Sequence, residues 1–335
     1  MGALIQKIKK SFNYDFQPKK FVLAVLGLII GIFLAAFFIF LADYGNTDND
    51  IVRKYQFRKI DAIDFDPKVV ILGDSSAGNA IDAKLFSELA GQKTVNLALT
   101  GSFGLVGSLQ MMEKVLEKQP RIKNFVFMQT LDIWRRPFSR EGFFEISRGF
   151  RSDYVGNKFF DYGKFIDYLQ YSTSLTNFKD ILRPVKKELI NSGLVPWLGQ
   201  KRPSDTIDRE HDYILQEKET YSNGKKQIKS DNKLSDLIEP ANREIYYAID
   251  KFCGDHALRC IYLHGPMHET VVKNSAKEIA DINNIIGFYS RIIPIKDVLS
   301  LKNDQVGDSI NHVSVEYKKN TTKLYYETVR EYLLE

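Results

Sequence analysis

The first residue of this chain with surroundings that could activate it is Ser75, in the run Val70-Ile71-Leu72-Gly73-Asp74-Ser75-Ser76-Ala77-Gly78-Asn79-Ala80. The apolar half reads as a strand and the small-residue half as the start of a helix. At such a turn a serine hydroxyl is exposed and its backbone N–H can face a developing oxyanion. A glycine-bearing turn closes the next apolar run, Asn96-Leu97-Ala98-Leu99-Thr100-Gly101-Ser102. Near the end, Gly307-Asp308-Ser309-Ile310-Asn311-His312-Val313-Ser314 sets a histidine close to an aspartate just before the last helical stretch. Serine is a weak nucleophile at its free pKa and needs a hydrogen-bonded base, itself held by a carboxylate. Gly-Asp-Ser alone also occurs in many loops as a helix cap; its position at the end of a first strand is what singles it out here.

Other titratable residues carry less. His264 and His268 follow a later apolar run in His264-Gly265-Pro266-Met267-His268, which puts them at the same sheet edge. Glu269 is adjacent, but no cysteine or glutamate cluster completes a ligand set, so no metal site is expected and His264 is read as a substrate contact. His211 and His256 read as surface residues. Asn320-Thr321-Thr322 matches a glycosylation acceptor but falls inside the last helix.

The elements that must position these residues alternate. Lys68–Leu72 is a strand bounded by Asp66-Pro67, and Asn79–Leu89 a helix with Ile81, Leu85, Phe86 and Leu89 on one face. Thr94–Leu99, Asn124–Thr130, Arg259–Leu263 and Arg291–Val298 come next as strands, with helices at Leu105–Leu116, Glu239–Phe252 and Val271–Ile286. Ser314–Leu334 closes the chain as a long helix with Ser314 as its cap. Such alternation implies a mostly parallel sheet with helices on both faces, and ligands at the carboxyl ends of its strands. Residues 133–237 interrupt the pattern. Trp134, Arg135, Arg136, Phe138, Arg140, Phe143, Phe144, Phe150, Arg151, Tyr154, Phe159 and Phe160 make its first part aromatic and basic. That part reads either as a lid or glycan-contacting wall, or as a small packed subdomain. Within the polar stretch Gln200–Lys233, Ser222-Asn223-Gly224-Lys225 predicts a tight hairpin turn.

At 335 residues with 44% hydrophobic and 27% charged, the chain is neither disordered nor a multi-span transporter. Its net charge of +5 is concentrated at the start, where Lys7, Lys9, Lys10, Lys19 and Lys20 face only Asp15. The remainder is near neutral, which excludes a nucleic-acid footprint. Phe21–Ala42 is an uncharged apolar run of 22 residues, about 33 Å as a helix, long enough for a bilayer core of about 30 Å. The lysines before it and Asp43, Asp48 and Asp50 after it predict a cytoplasmic basic segment at 1–20, a transmembrane helix at 21–42 and a linker at 43–66. Residues 67–335 then form the exported domain. Its two cysteines, Cys253 and Cys260, are read as a structural disulfide in an oxidising compartment.

Taken together, the Ser75, Gly101 and Asp308/His312 blocks resemble the SGNH (GDSL-type) hydrolase superfamily. Within it they are most similar to the membrane-anchored branch that includes alginate O-acetylation proteins and the D-alanyl transfer protein of teichoic acid. The resemblance covers about residues 68–132 and 239–334 and leaves the insertion unmatched. It implies a three-layer α/β/α domain with Ser75 as nucleophile, His312 as general base and Asp308 as the group that orients it. The N–H groups of Ser75 and Gly101 would form part of the oxyanion hole. The family's third block also carries an asparagine that donates to the oxyanion. Here Met128-Gln129-Thr130-Leu131-Asp132-Ile133 has none; Gln129 or Thr130 are the substitutes, since an ionised Asp132 cannot donate. Asp308 and His312 are four positions apart, where many members have three.

The resemblance thus implies an exported, membrane-anchored serine esterase or O-acyltransferase that moves small acyl groups, acetyl foremost, on a cell-surface or secreted glycan through an acyl-serine intermediate. No cofactor is expected. Asp74, Gln129, Thr130, Asp132 and His264 are the expected substrate contacts. One membrane helix cannot carry an acyl donor across the bilayer, so a transferase implies a multi-span membrane O-acyltransferase partner. The implied localisation is the cytoplasmic membrane, with the large domain on its periplasmic or outer-surface side. A reading from a different class is a non-catalytic glycan-binding or assembly factor on the same fold, which the absent asparagine favours.

Overall fold

The computed structural model describes residues 18–41, 48–62, 64–136, 154 and 221–333. The lysines of the first ten residues, His211 and every aromatic and arginine from Phe138 to Phe160 except Tyr154 lie outside the described residues, so the insertion readings do too. The chain divides into two compact units, and of the first only helix α1, Pro18–Leu41, is described. The backbone of α1 is one continuous helix of 24 residues. Phe21, Leu23, Ile30 and Leu34 are among its exposed side chains. Among the described residues no helix is long and apolar enough to cross a membrane; described side chains in α1 end at Leu34.

The second unit opens with α2, Asp48–Asp61, where a linker was expected. The helix is charged overall, yet Val52, Gln56 and Ile60 are buried, four apart on one face. Gln56 Nε2 donates to the Ala98 carbonyl at 2.8 Å. Next in chain order are β1 (Val69–Gly73), α3 (Ser75–Ala80), α4 (Ala83–Ala90), β2 (Thr94–Asn96), α5 (Gly104–Lys118) and β3 (Asn124–Gln129). After the insertion come α6 (Tyr221–Gln227), α7 (Pro240–Asp255), β4 (Arg259–His264), β5 (Met267–His268), α8 (Glu269–Asn274), α9 (Ala276–Ile286), β6 (Ile292–Pro294), β7 (Ser300–Leu301) and α10 (Val315–Val329). Five strands form one sheet in the order β2-β1-β3-β4-β6, and every pairing is parallel. All residues of β1 and β3 are buried, so both faces are covered, as parallel sheets require. A mixed α/β fold with a parallel central sheet is therefore what the alternation anticipated.

Several boundaries differ from the sequence reading, each for a local reason. The expected helix Asn79–Leu89 is two helices, because the Asp82 side chain caps α4 through the Leu85 N–H at 2.9 Å. The strand expected to Leu99 is regular only to Asn96. Asn96 Oδ1 accepts from the Ala98 N–H, while Leu97 and Leu99 still donate to β1 carbonyls. Ser275 separates α8 from α9; it is fully buried and accepts the Leu234 N–H. The fifth strand shortens to Ile292–Pro294. Ser314 sits at the start of α10 without a side-chain cap bond. Ser222-Asn223-Gly224-Lys225 lies within helix α6, not in a hairpin turn.

Cys253 at the end of α7 and Cys260 near the start of β4 are joined in a disulfide. The core beside it holds Trp134, Tyr246 and Tyr262, with Trp134 Nε1 donating to Tyr262 Oη at 2.7 Å.

Candidate active site

The turn that carries Ser75 is shaped by two glycines. Gly73 ends β1 with φ +152°, and a Cβ there would lie 1.8 Å from the Met128 carbonyl oxygen. Gly265 follows β4, and a Cβ there would lie 2.2 Å from Ser76 Oγ. Between them, Asp74 is buried and accepts from the Ser76 N–H at 2.9 Å, Ser76 Oγ at 2.5 Å and the Thr130 N–H at 3.0 Å. Burial raises its carboxyl above the ordinary value against these hydrogen bonds, and nearby Asp132 pushes the same way. Asp74 ties the end of β1 to the end of β3; it is not placed to touch a substrate, as the sequence reading had it.

Ser75 itself is partly exposed. Its Oγ lies 2.8 Å from His312 Nε2, and His312 Nδ1 lies 2.6 Å from Asp308 Oδ1. With Nδ1–H donating to the carboxylate, Nε2 is left to accept from the serine hydroxyl. Burial works against ionised Asp308, but the hydrogen bond and charge of His312 outweigh it and hold the carboxyl below its usual range. The loop bearing both residues is closed at its base by an antiparallel bridge between Val306 and Val313 and by the Gly307 N–H donating to the His312 carbonyl. Asn311 Nδ2 ties its crown to Thr130 Oγ1 at 3.1 Å, and its Oδ1 accepts from Ser309 Oγ. Helix α6 buttresses it from outside: a Cβ on Gly224 would lie 2.2 Å from the Gly307 carbonyl oxygen, and Gln227 donates to the Asp308 carbonyl. Behind Ser75, α10 receives α3. Lys318 Nζ donates to the Gly78 carbonyl at 3.0 Å and Thr321 Oγ1 to that of Ala80 at 2.6 Å. Thr321 and Thr322 are thus buried.

Gly101 opens a 3-10 turn five residues past the end of β2. No hydrogen bond among the described residues engages the N–H of Ser75 or of Gly101, so both stay available to a third group. The two proposed substitutes for the asparagine are both buried. Gln129 is fully buried and donates to Ser108 Oγ at 2.9 Å, and Thr130 is held between Asp74 and Asn311. Leu131, beside them, is apolar and buried. Asp132 is partly exposed and pairs with Arg136 at 3.0 Å.

His264 does not face the mouth. It is fully buried, and its Nε2–H donates at 2.7 Å to Asn283 Oδ1 on α9, because the Asn283 amide nitrogen is directed to the Lys296 carbonyl. Its Nδ1 has no partner among the described residues. Burial lowers its pKa to about 4, partly offset by the Asn283 bond. The imidazole is therefore a neutral packing group. A histidine depressed in the fold binds its proton more readily when unfolded, so stability falls as pH drops below the unfolded value of about 6.5. Between pH 7 and 5 this residue should remove about 2 kcal/mol of unfolding free energy. Urea midpoints of wild type and His264→Gln at both pH values measure it: the variant should lose distinctly less, and equal losses would refute the assignment. His268 binds Asn303 and the Thr270 N–H, and His256 is exposed against Phe252 and Tyr154. Among the described residues no cluster of three metal-ligating side chains forms. Compared with models of protein families, with curated proteins and with solved structures, the chain matches none.

Proposed function

We propose that this protein is a serine esterase or O-acyltransferase of the SGNH type, working through an acyl-serine at Ser75. The observation that carries the reading is the continuous bond chain Ser75–His312–Asp308, at 2.8 and 2.6 Å. In the first step Ser75 Oγ bonds to the acyl carbon as its proton passes to His312 Nε2, and the carbonyl electron pair moves to oxygen. The free N–H groups of Ser75 and Gly101 meet that oxyanion. Collapse expels the alcohol, which takes the proton back from His312. Water or an acceptor hydroxyl then attacks the acyl-serine with His312 again as base, releasing acid or a new ester. Asp308 keeps the imidazole in the tautomer this needs and stabilises the imidazolium.

The substrate we propose is an acetylated or acetyl-accepting glycan outside the cytoplasm. The resemblance to polymer-modifying proteins motivates it, with a multi-span O-acyltransferase as partner if the reaction is transfer. We further propose that the apolar run 21–42 anchors the chain with its N-terminus in the cytoplasm. The lysines before the run support this orientation, and the disulfide supports an oxidising compartment for the large domain. One experiment separates these parts. A membrane-impermeant phosphonate probe applied to intact spheroplasts should label the protein, with the adduct mapped to Ser75 by mass spectrometry. Labelling only after lysis would overturn the orientation. Folded protein that stays unlabelled throughout would overturn the enzyme and favour the non-catalytic glycan-binding reading, to which the missing third-block asparagine already points.

A further inference from the structure

The missing asparagine leaves the oxyanion hole with two backbone donors, and the structure sets a cation beside one of them. A Cβ built on Gly101 would lie 3.3 Å from Nη2 and 3.5 Å from Nη1 of Arg136. The guanidinium therefore lies against the backbone of the glycine whose N–H is expected to meet the oxyanion. The backbone that carries this side chain is fixed. The carbonyls of Ile133 and Arg136 accept from Asn242 Nδ2 at 2.8 and 3.2 Å, and Asn242 is buried. Trp134, two residues before, is fully buried and bonded to Tyr262. With the backbone fixed, Asp132 Oδ1 holds Nη2 at 3.0 Å. Asp132 is in turn close enough to Asp74, beneath the nucleophile turn, to raise its carboxyl pKa. The pair thus bridges the segments that follow β2 and β3, the strands on either side of the β1 that delivers Ser75.

We infer that Arg136 is a catalytic residue that donates to the oxyanion in place of the absent asparagine, with Asp132 as its positioning residue. The inference rests on the acyl-serine reading. A guanidinium carries five N–H donors and stays charged at any working pH. One nitrogen engages Asp132, and Nη1 remains to meet the oxygen. A bond from a charged donor to an oxyanion is roughly twice as strong as a neutral one. No bond forms or breaks at Arg136; it meets the negative charge that reaches the carbonyl oxygen when Ser75 Oγ bonds to carbon.

The test uses the full chain with an acetyl ester. Arg136→Ala should lower kcat by about 100- to 1000-fold, the usual cost of one oxyanion donor, with KM changed by less than about threefold. Phosphonate labelling of Ser75 should slow in parallel, since that adduct also carries the developing charge. Added guanidinium ion should restore part of the loss in Arg136→Ala and nothing in wild type, which a structural role would not produce. Arg136→Lys should fall between. Asp132→Ala should cost about tenfold in kcat, as expected of a group that only aims another. The side chain of Arg136 is 46% exposed, so thermal midpoints should stay near wild type. A kcat for Arg136→Ala within about threefold of wild type, or a loss residing in KM, would overturn the inference and leave the triad untouched. A wild-type chain that neither turns over esters nor labels at Ser75 would overturn the acyl-serine reading and this one with it.

Discussion

Ser75→Ala and His312→Ala should each lower the rate on an acetyl ester by at least about a thousandfold, and the double variant should be little worse. The expectation comes from the 2.8 Å bond between the two side chains. Each is useless to the chemistry without the other: a hydroxyl without its base stays protonated, and a base without its nucleophile has only water to activate. Asp308→Ala should be milder, on the order of a hundredfold less costly than losing the serine, because Asp308 aims the imidazole and does not take its proton. Initial rates of purified variants decide the matter. A single Ser75 or His312 variant that keeps a tenth of the activity or more would show that the ester is cleaved elsewhere.

Asp74→Ala should be the most damaging substitution to stability near the site, lowering unfolding free energy by about 3–5 kcal/mol, since each buried donor left unpaired costs about 1–3 kcal/mol. The change leaves the Ser76 N–H, Ser76 Oγ and the Thr130 N–H without their acceptor in a dry environment. Asp74→Asn keeps the shape and one acceptor oxygen and should cost less. Activity should fall in both, because the turn that aims Ser75 is tied to β3 through this carboxylate. Denaturant titration of the three proteins reads the stability directly. A loss under about 1 kcal/mol in Asp74→Ala would mean that other bonds hold the turn.

Much of the site was legible from sequence because its three side chains sit at punctuation points. Ser75 comes after a β-branched run ending in glycine, and Asp308 and His312 precede the start of the last helix. Such positions are fixed by local pattern, and the parallel sheet brings them to one edge. Contacts created only by tertiary packing were not legible. Arg136 looked like one more basic residue in an aromatic stretch, and nothing local says that it will lie on Gly101, 35 residues earlier. A signal existed in topology alone: β2 and β3 both flank β1, so the turns leaving their carboxyl ends meet above the nucleophile. His264 failed for a different reason. It is the last residue of β4, where the direction of the side chain decides between mouth and core, and the partner that draws it inward, Asn283, is on a helix not yet placed. Ser222-Asn223-Gly224-Lys225 has the composition of a turn, but its glycine serves close approach to the Gly307 carbonyl. In α2, Val52, Gln56 and Ile60 did carry a readable stripe, hidden by the charges between them.

The disulfide and the site occupy opposite ends of one strand. Cys260 is the second residue of β4 and His264 the last, and the chain rises about 3.3 Å per residue between them. Gly265, which packs on the nucleophile turn, comes directly after. A reductant meeting this protein would therefore act on its longevity and not on its turnover. Molecules with the bridge opened would unfold sooner, while those still folded would work at the same pace. In a culture drifting between oxidising and reducing conditions, the amount of folded protein would fall, with no change in the Ser75–His312–Asp308 arrangement that each survivor carries.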